Sequence, residues 1–455
     1  MVFSSIMFLF IFLPMALILI YSAPKKTRNA VLFALSLVFY SWGEVRYIFV
    51  MLASVLVDYT VSNMMVKTQR TATQRTVLLM TSVVFNLGML IFFKYTGFFT
   101  HNVNTLLGLS LPVLEYTLPL GISFYTFQTM SYTIDVYKGR VEAERNIITF
   151  GAYVALFPQL IAGPIVKYRT IREELQQPQL SLKKFETGVL FFIAGLASKV
   201  LIANNIGLMW DEISVLESLG MATAWLGLIA FALQIYFDFS GYSYMAIGLG
   251  HMLGFSFPEN FNFPYVSRSM REFWSRWHMT LGAWFKEYVY VPLGGNRAGR
   301  LRFVRNVFIV WFLTGFWHGA NYNFVLWGLY FFVLLMVEKF IIGRALTQHR
   351  VLSHLYFIVF ILLGWAVFAI EDLSHLAFYL RTLFSFQAGE EVWYYLGQYG
   401  SVMVLGFVFS TPWISRYFKE PKRKPLLVVC LLVLFVLSVA YLVDSSYNPF
   451  LYFRF

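Results

Sequence analysis

The chain has 455 residues, 59% of them hydrophobic and only 13% charged, with a formal net charge of +12. A soluble domain carries about 25% charged residues, so the composition excludes one. No basic domain stands apart from the apolar segments, which argues against nucleic-acid binding; the excess of Lys and Arg fits the cytoplasmic loops of a membrane protein.

Apolar runs of roughly 18 residues or more recur from end to end, each long enough to cross a bilayer. They are continuous rather than alternating, which points to helices and not to a β-barrel. The predicted class is all-α: a polytopic transmembrane protein of about 11–13 spans with re-entrant or interfacial helices, one membrane-embedded domain over 1–455. The expected spans are 3–21, 29–42, 47–66, 76–95, 118–137, 187–205, 221–250, 303–320, 322–342, 351–370, 393–411 and 426–443.

The first span has no cation before it and Lys25, Lys26 and Arg28 after it, the reverse of a signal peptide. It reads as a retained span with its N-terminus outside. The loops holding Lys25/Lys26/Arg28 and Lys67/Arg70/Arg75 then fall inside, and 96–117, with no Lys or Arg, falls outside. Two successive loops, one with Lys138/Arg140/Arg145 and one with Lys167/Arg169/Arg172/Lys183/Lys184, are both basic. A simple span between them would put one outside, so 148–165 is expected to enter the membrane, break at Gly163-Pro164 and return. The acidic loop of Asp211, Glu212 and Glu217 then lies outside, the basic loop 251–302 inside, and the tail 444–455 outside. The single cysteine, Cys430, sits in an apolar run and suits neither a disulfide nor a thiolate carrier. No repeat of transporter type is visible.

Chemistry concentrates in 258–321, read here as the catalytic core stretch. Taken as one helix, 271–288 puts Trp274, Trp277, His278, Leu281, Phe285 and Tyr288 on one face and Glu272, Arg276, Thr280 and Glu287 opposite. His278 is expected to point inward, as a core histidine or as part of a site. His318 follows a nearly uncharged span and precedes Gly319-Ala320. An ionisable residue at membrane depth is a functional hypothesis by default, and a buried imidazole is expected to be neutral and able to accept a proton; the bland alternative is a structural bond between spans. Asp238 needs a cationic partner, expected from the basic loop. Ser123, Tyr125, Thr126, Gln128, Thr129 and Asp135 form a polar stripe, read as an internal lining rather than a lipid face. No G-x-S-x-G, P-loop or HExxH occurs.

Five stretches resemble the bacterial branch of the membrane-bound O-acyltransferases: Pro119–Tyr125, Leu160–Pro164, Asp238–Tyr242, Glu272–His278 and Trp317–Asn321. The resemblance is nearest to the alginate-, peptidoglycan- and cellulose-acetylating members. Where the family usually has an Asp after Asp-Phe-Ser-Gly-Tyr-Ser, this chain has Tyr244. The resemblance implies many spans around a central funnel or tunnel, and acetyl-CoA as acyl donor from the cytoplasm with no metal. It implies His318 as the essential histidine and His278 as the second. It implies transfer across a bacterial inner membrane, finished on polysaccharide by an extracytoplasmic SGNH-type partner. Arg268, Arg271, Arg276, Trp277, Asn321 and Asp238 are the expected substrate-binding residues, with Arg297, Arg300 and Arg302 as further candidates for the CoA phosphates. Phe450-x-Tyr452-Phe453 resembles a C-terminal motif whose tyrosine is proposed to carry the acyl group; the plain alternative is an aromatic membrane anchor. A polytopic exporter or channel for an envelope precursor, and a scaffold for an envelope complex, are the alternatives from other classes.

Overall fold

The computed structural model describes every residue except 68, 69, 115, 162, 298, 388, 419, 445, 446, 450 and 452–455. The described residues are helical or irregular, with no strand. Among the described residues, eight helices are long and apolar enough to cross a membrane. Each of the twelve expected spans coincides with a helix.

The chain divides into two compact units. The first comprises Met1–Phe192 and Met245–Pro258. Its helices are α1 (Leu13–Ser22), α2 (Arg28–Glu44), α3 (Ile48–Met65), α4 (Ala72–Leu107), α5 (Ile122–Tyr137), α6 (Ile147–Ala155), α7 (Phe157–Leu160) and α8 (Tyr168–Gln176), followed by most of α9 (Leu182–Ala197). Residues 122–133 of α5 are all buried, so its polar stripe faces protein rather than lipid. The stripe meets a carboxylate from α3: Asn86 and Thr133 bond Asp58 at 2.8 and 3.4 Å, and Thr129 bonds Asn86 at 3.2 Å.

The segment 148–165 is a broken helix. It bends at Leu156 between α6 and α7, before the expected break at Gly163-Pro164, and nearly all of it is buried, as irregular backbone at membrane depth requires. The two basic loops flanking it meet. Arg172 pairs with Glu142 at 2.5 Å, Arg169 lies 3.9 Å from Asp135, and the Tyr168 hydroxyl donates to Glu144 at 2.6 Å. Both loops therefore lie on one side, as a returning segment demands.

The second unit comprises Ile193–Tyr244 and Glu259–Phe455. A π-turn, Ser198–Ala203, separates α9 from α10 (Asn204–Ser214). Then come α11 (Met221–Met252), α12 (Met270–Trp274), α13 (Met279–Phe285), α14 (Arg300–His318), α15 (Tyr322–Val337), α16 (Gly343–Gln348), α17 (Arg350–Ala369), α18 (Leu373–Thr382), α19 (Glu391–Phe409), α20 (Trp413–Tyr417) and α21 (Lys424–Asp444). Glycines let α14 and α15 touch backbone to backbone. A β-carbon on Gly315 would lie 2.3 Å from the Phe324 carbonyl, and one on Gly328 would lie 2.5 Å from that of Trp311. This close contact holds the end of α14, where His318 sits.

The continuous helix expected over 271–288 does not form. It breaks after α12 and resumes at α13, with His278 between them at φ 43°, ψ 52°. The apolar face is buried all the same: Trp277, His278, Leu281, Phe285 and Tyr288 are all inside. The break comes from outside the segment, because 260–262 bonds across it. Asn262 N–H donates to the Arg276 carbonyl at 2.9 Å, and Met279 N–H donates to the Asn260 carbonyl at 3.0 Å.

Candidate active site

His318 is the last residue of α14 and is 5% exposed. Gly319 leaves the helix in extended backbone, which aims the histidine into an aromatic box. Ring centroids of Trp317, Trp327 and Phe368 lie 4.9, 5.0 and 5.3 Å from its own. His278 is 3% exposed. Phe239 of α11 packs edge-on against it at 4.7 Å, and Trp317 borders it at 6.3 Å. Trp317 thus touches both histidines, and the two expected site residues come together around it.

Burial pushes the His278 imidazole down to about 3. It is neutral at physiological pH. Its Nδ1 lies 3.1 Å from Asn260 Oδ1, which also accepts from the Thr280 N–H at 3.2 Å and the Thr280 hydroxyl at 2.9 Å. Asn260 stands in the Pro258–Tyr265 run but carries no sequence signal of this role.

Asp238 is buried near the middle of α11, and its partner corrects the expectation. It pairs at 2.7 Å with Lys199 of the π-turn, not with a cation of the basic loop. Both side chains are nearly inaccessible, at 2% and 3%. Lys199 also donates to Asn204 Oδ1 at 2.7 Å and to the Pro449 carbonyl, and Asp238 Oδ2 accepts the Leu451 N–H at 2.9 Å. Lys199 was legible in principle, as a lone cation inside an apolar run.

The tail is therefore threaded into this unit. Tyr447 donates to Asp211 at 2.6 Å, the Asn204 amide reaches Asn448 at 3.3 Å, Pro449 meets Lys199, and Leu451 meets Asp238. These partners run from the far end of α10 back to the π-turn, so the tail descends along it. The start of the tail thus lies at the end of α10 that carries Asp211. Tyr452 itself falls outside the described residues.

Of the remaining expected residues, Arg276 pairs with Glu272 at 3.0 Å and Trp277 stacks on Phe273 at 5.4 Å. Asn321 caps α15 through the Tyr322 N–H at 2.6 Å. Arg268, Arg271, Arg297, Arg300 and Arg302 are exposed, with the Arg300 guanidinium 4.4 Å from the Phe340 ring centre. Among the described residues no group of three metal-ligating side chains occurs.

The sequence profile of MBOAT, the membrane-bound O-acyltransferase family, matches residues 141–373. A probable alginate O-acetylase of Pseudomonas putida is 37% identical, with 100% of both chains covered. A peptidoglycan O-acetyltransferase of Helicobacter pylori is 33% identical over 82% of this chain and 78% of its own. A teichoic acid D-alanyltransferase of Bacillus subtilis is 27% identical over 49% of this chain and 59% of its own.

Proposed function

The chain belongs to the membrane-bound O-acyltransferase family, and from that premise we propose that it passes acetyl from cytoplasmic acetyl-CoA across the inner membrane, for O-acetylation of an extracytoplasmic polysaccharide. It is a multi-pass membrane O-acyltransferase, and the family is one of enzymes, which removes the support for an exporter or scaffold. The names of the more similar relatives favour acetyl over D-alanyl as the group carried. Acetyl-CoA is too large and charged to cross a bilayer, whereas an acetyl ester is small enough to be handed on inside protein.

In this reading His318 is the general base. It takes the proton from an attacking hydroxyl as that oxygen bonds to the thioester carbon. The carbon–sulfur bond breaks, and the departing CoA thiolate is protonated to the free thiol. The hydroxyl is that of Tyr452. A phenol, with a pKa of about 10, is a better leaving group than a sugar alcohol and can give the acetyl up again. An SGNH-type partner outside then completes the transfer. Arg268 and Arg271, exposed, are the candidates to hold the CoA phosphates; Arg276, already paired, is the weaker one.

The observation that carries this reading is the seating of the tail. Lys199 and Asp238 hold its main chain up to Leu451, inside the unit that contains both histidines. The test uses purified full-length protein and radiolabelled acetyl-CoA. Label is expected on the C-terminal peptide of wild type and absent in Tyr452→Phe, which keeps the aromatic anchor and removes only the hydroxyl. Wild-type polysaccharide acetylation in that variant, with no acetyl on the peptide, overturns the carrier step. Failure of wild type to release CoA overturns the donor.

A further inference from the structure

We infer that Asn260 is a positioning residue that locks His278 in one tautomer, with the proton on Nδ1, so that Nε2 serves the site as an acceptor. The inference rests on the reading above only in taking the two histidines as an acyl-transfer site.

The amide of Asn260 can be oriented without ambiguity. The Thr280 backbone N–H, 3.2 Å from the Oδ1 position, has only a proton to offer. Turning the amide over would set two N–H donors face to face, so the oxygen is the atom at that corner. The Thr280 hydroxyl, at 2.9 Å, bonds the same oxygen. His278 Nδ1 meets this oxygen at 3.1 Å. An amide oxygen offers only lone pairs, so the contact is a hydrogen bond only when Nδ1 carries the proton. In a neutral ring that leaves Nε2 bare.

The ring stays neutral. Among the described residues, Phe239 from α11, Trp317 from α14 and Asn260 from the separate 260–262 loop are set against it, with Thr280 of α13 bonded to the same Asn260 oxygen. None of these titrates, and burial holds the imidazolium off far below neutrality. The backbone enforces the arrangement a second time. Asn260 accepts the Met279 N–H through its own carbonyl, which fixes the loop on which the ring is carried at φ 43°. His278 therefore cannot donate from Nε2 near neutral pH. It can receive the hydrogen of a hydroxyl or thiol, with Trp317 between it and His318.

Asn260→Asp tests this most directly, because it keeps the shape and places a carboxylate on the Nδ1–H. The carboxylate favours the imidazolium, so the acid limb of kcat should move toward neutral pH by at least about one unit. A merely structural role would not move the pH profile. Asn260→Ala should lower kcat about 10²-fold with KM for acetyl-CoA nearly unchanged, since only the orientation of the ring is lost. Both are measured as CoA release by purified full-length protein. Coincident pH profiles for Asn260→Asp and wild type, or an Asn260→Ala variant with wild-type kcat, overturn the inference. A readout independent of activity separates this from failure of the acyl-transfer reading. Nitrogen-15 shifts of histidine-labelled protein, assigned by the signal missing in His278→Gln, should show a protonated Nδ1 and a bare Nε2; the opposite pattern overturns the assignment even if acetyl-CoA proves not to be the donor.

Discussion

An ammonium and a carboxylate out of water repay their desolvation only when their remaining hydrogen-bonding groups are engaged. Lys199 and Asp238 meet that condition by using the backbone of the tail: the Pro449 carbonyl for one, the Leu451 N–H for the other. Lys199→Met should cost about 3–5 kcal/mol by stranding a buried carboxylate, and Lys199→Met with Asp238→Leu should recover much of it. Thermal unfolding in detergent reads both; a single variant melting with wild type would refute the pairing. His318→Ala carries no such penalty and should purify normally, while kcat falls roughly 10²–10⁴-fold as for a lost general base. Activity within a few-fold of wild type would sink that assignment. His278 adds a pH signature of its own. Its folded-state value lies near 3, below the ordinary 6.5, so the unfolded chain binds the extra proton. The contribution is intact above about 6.5 and is lost as pH falls from there toward 3, at no more than about 1.4 kcal/mol per unit. The melting advantage of wild type over His278→Gln should therefore shrink below pH 6.5 and stay flat above it.

At the scale of elements, the site depends on how closely α14 and α15 approach. The β-carbon of any other residue at Gly315 would fall 2.3 Å from the Phe324 carbonyl, an atom that cannot give way. Gly315→Leu should cost about 1–3 kcal/mol by overpacking and should shift His318 with the end of α14. The expected result is a lower melting temperature together with a drop in kcat; a variant that melts lower but turns over like wild type would detach His318 placement from this contact. The spans themselves were legible because a continuous apolar run encodes a helix whatever it packs against. The broken segment 148–165 was legible through charge balance, and the pairs Arg172–Glu142 and Tyr168–Glu144 account for it physically. The break at His278 was not legible. Helical periodicity over 271–288 is genuine, and the residue that overrides it, Asn260, acts from a separate loop. The partner of Asp238 escaped for a similar reason. Lys199 lies 39 positions away in sequence, and tertiary packing rather than local pattern joins them.

For the whole molecule the question is sidedness, since the proposed transfer across a membrane needs the donor on one side and the acceptor on the other. The tail begins beside Asp211, on the side of the acidic loop, and descends along α10. In the proposed orientation, taken from the positive-inside rule, that side is outside and the stretch 264–302 inside. Arg268, Arg271, Arg297, Arg300 and Arg302 are all exposed there, able to meet a polyphosphate without breaking a buried bond. The loop 96–117 has no Lys or Arg to offer an anion. A non-hydrolysable CoA analogue should therefore protect 264–302 from proteolysis in purified full-length protein and leave 96–117 cleaved at its usual rate. Arg268→Gln with Arg271→Gln should weaken that protection and raise KM for acetyl-CoA about fivefold, a modest effect because exposed charges are screened. The kcat should hold, because neither arginine is placed at the reacting bond. Protection confined to 96–117 would put the donor on the opposite side and reverse the direction of transfer. Protection of 264–302 that survives loss of both arginines would move CoA recognition to Arg297, Arg300 and Arg302.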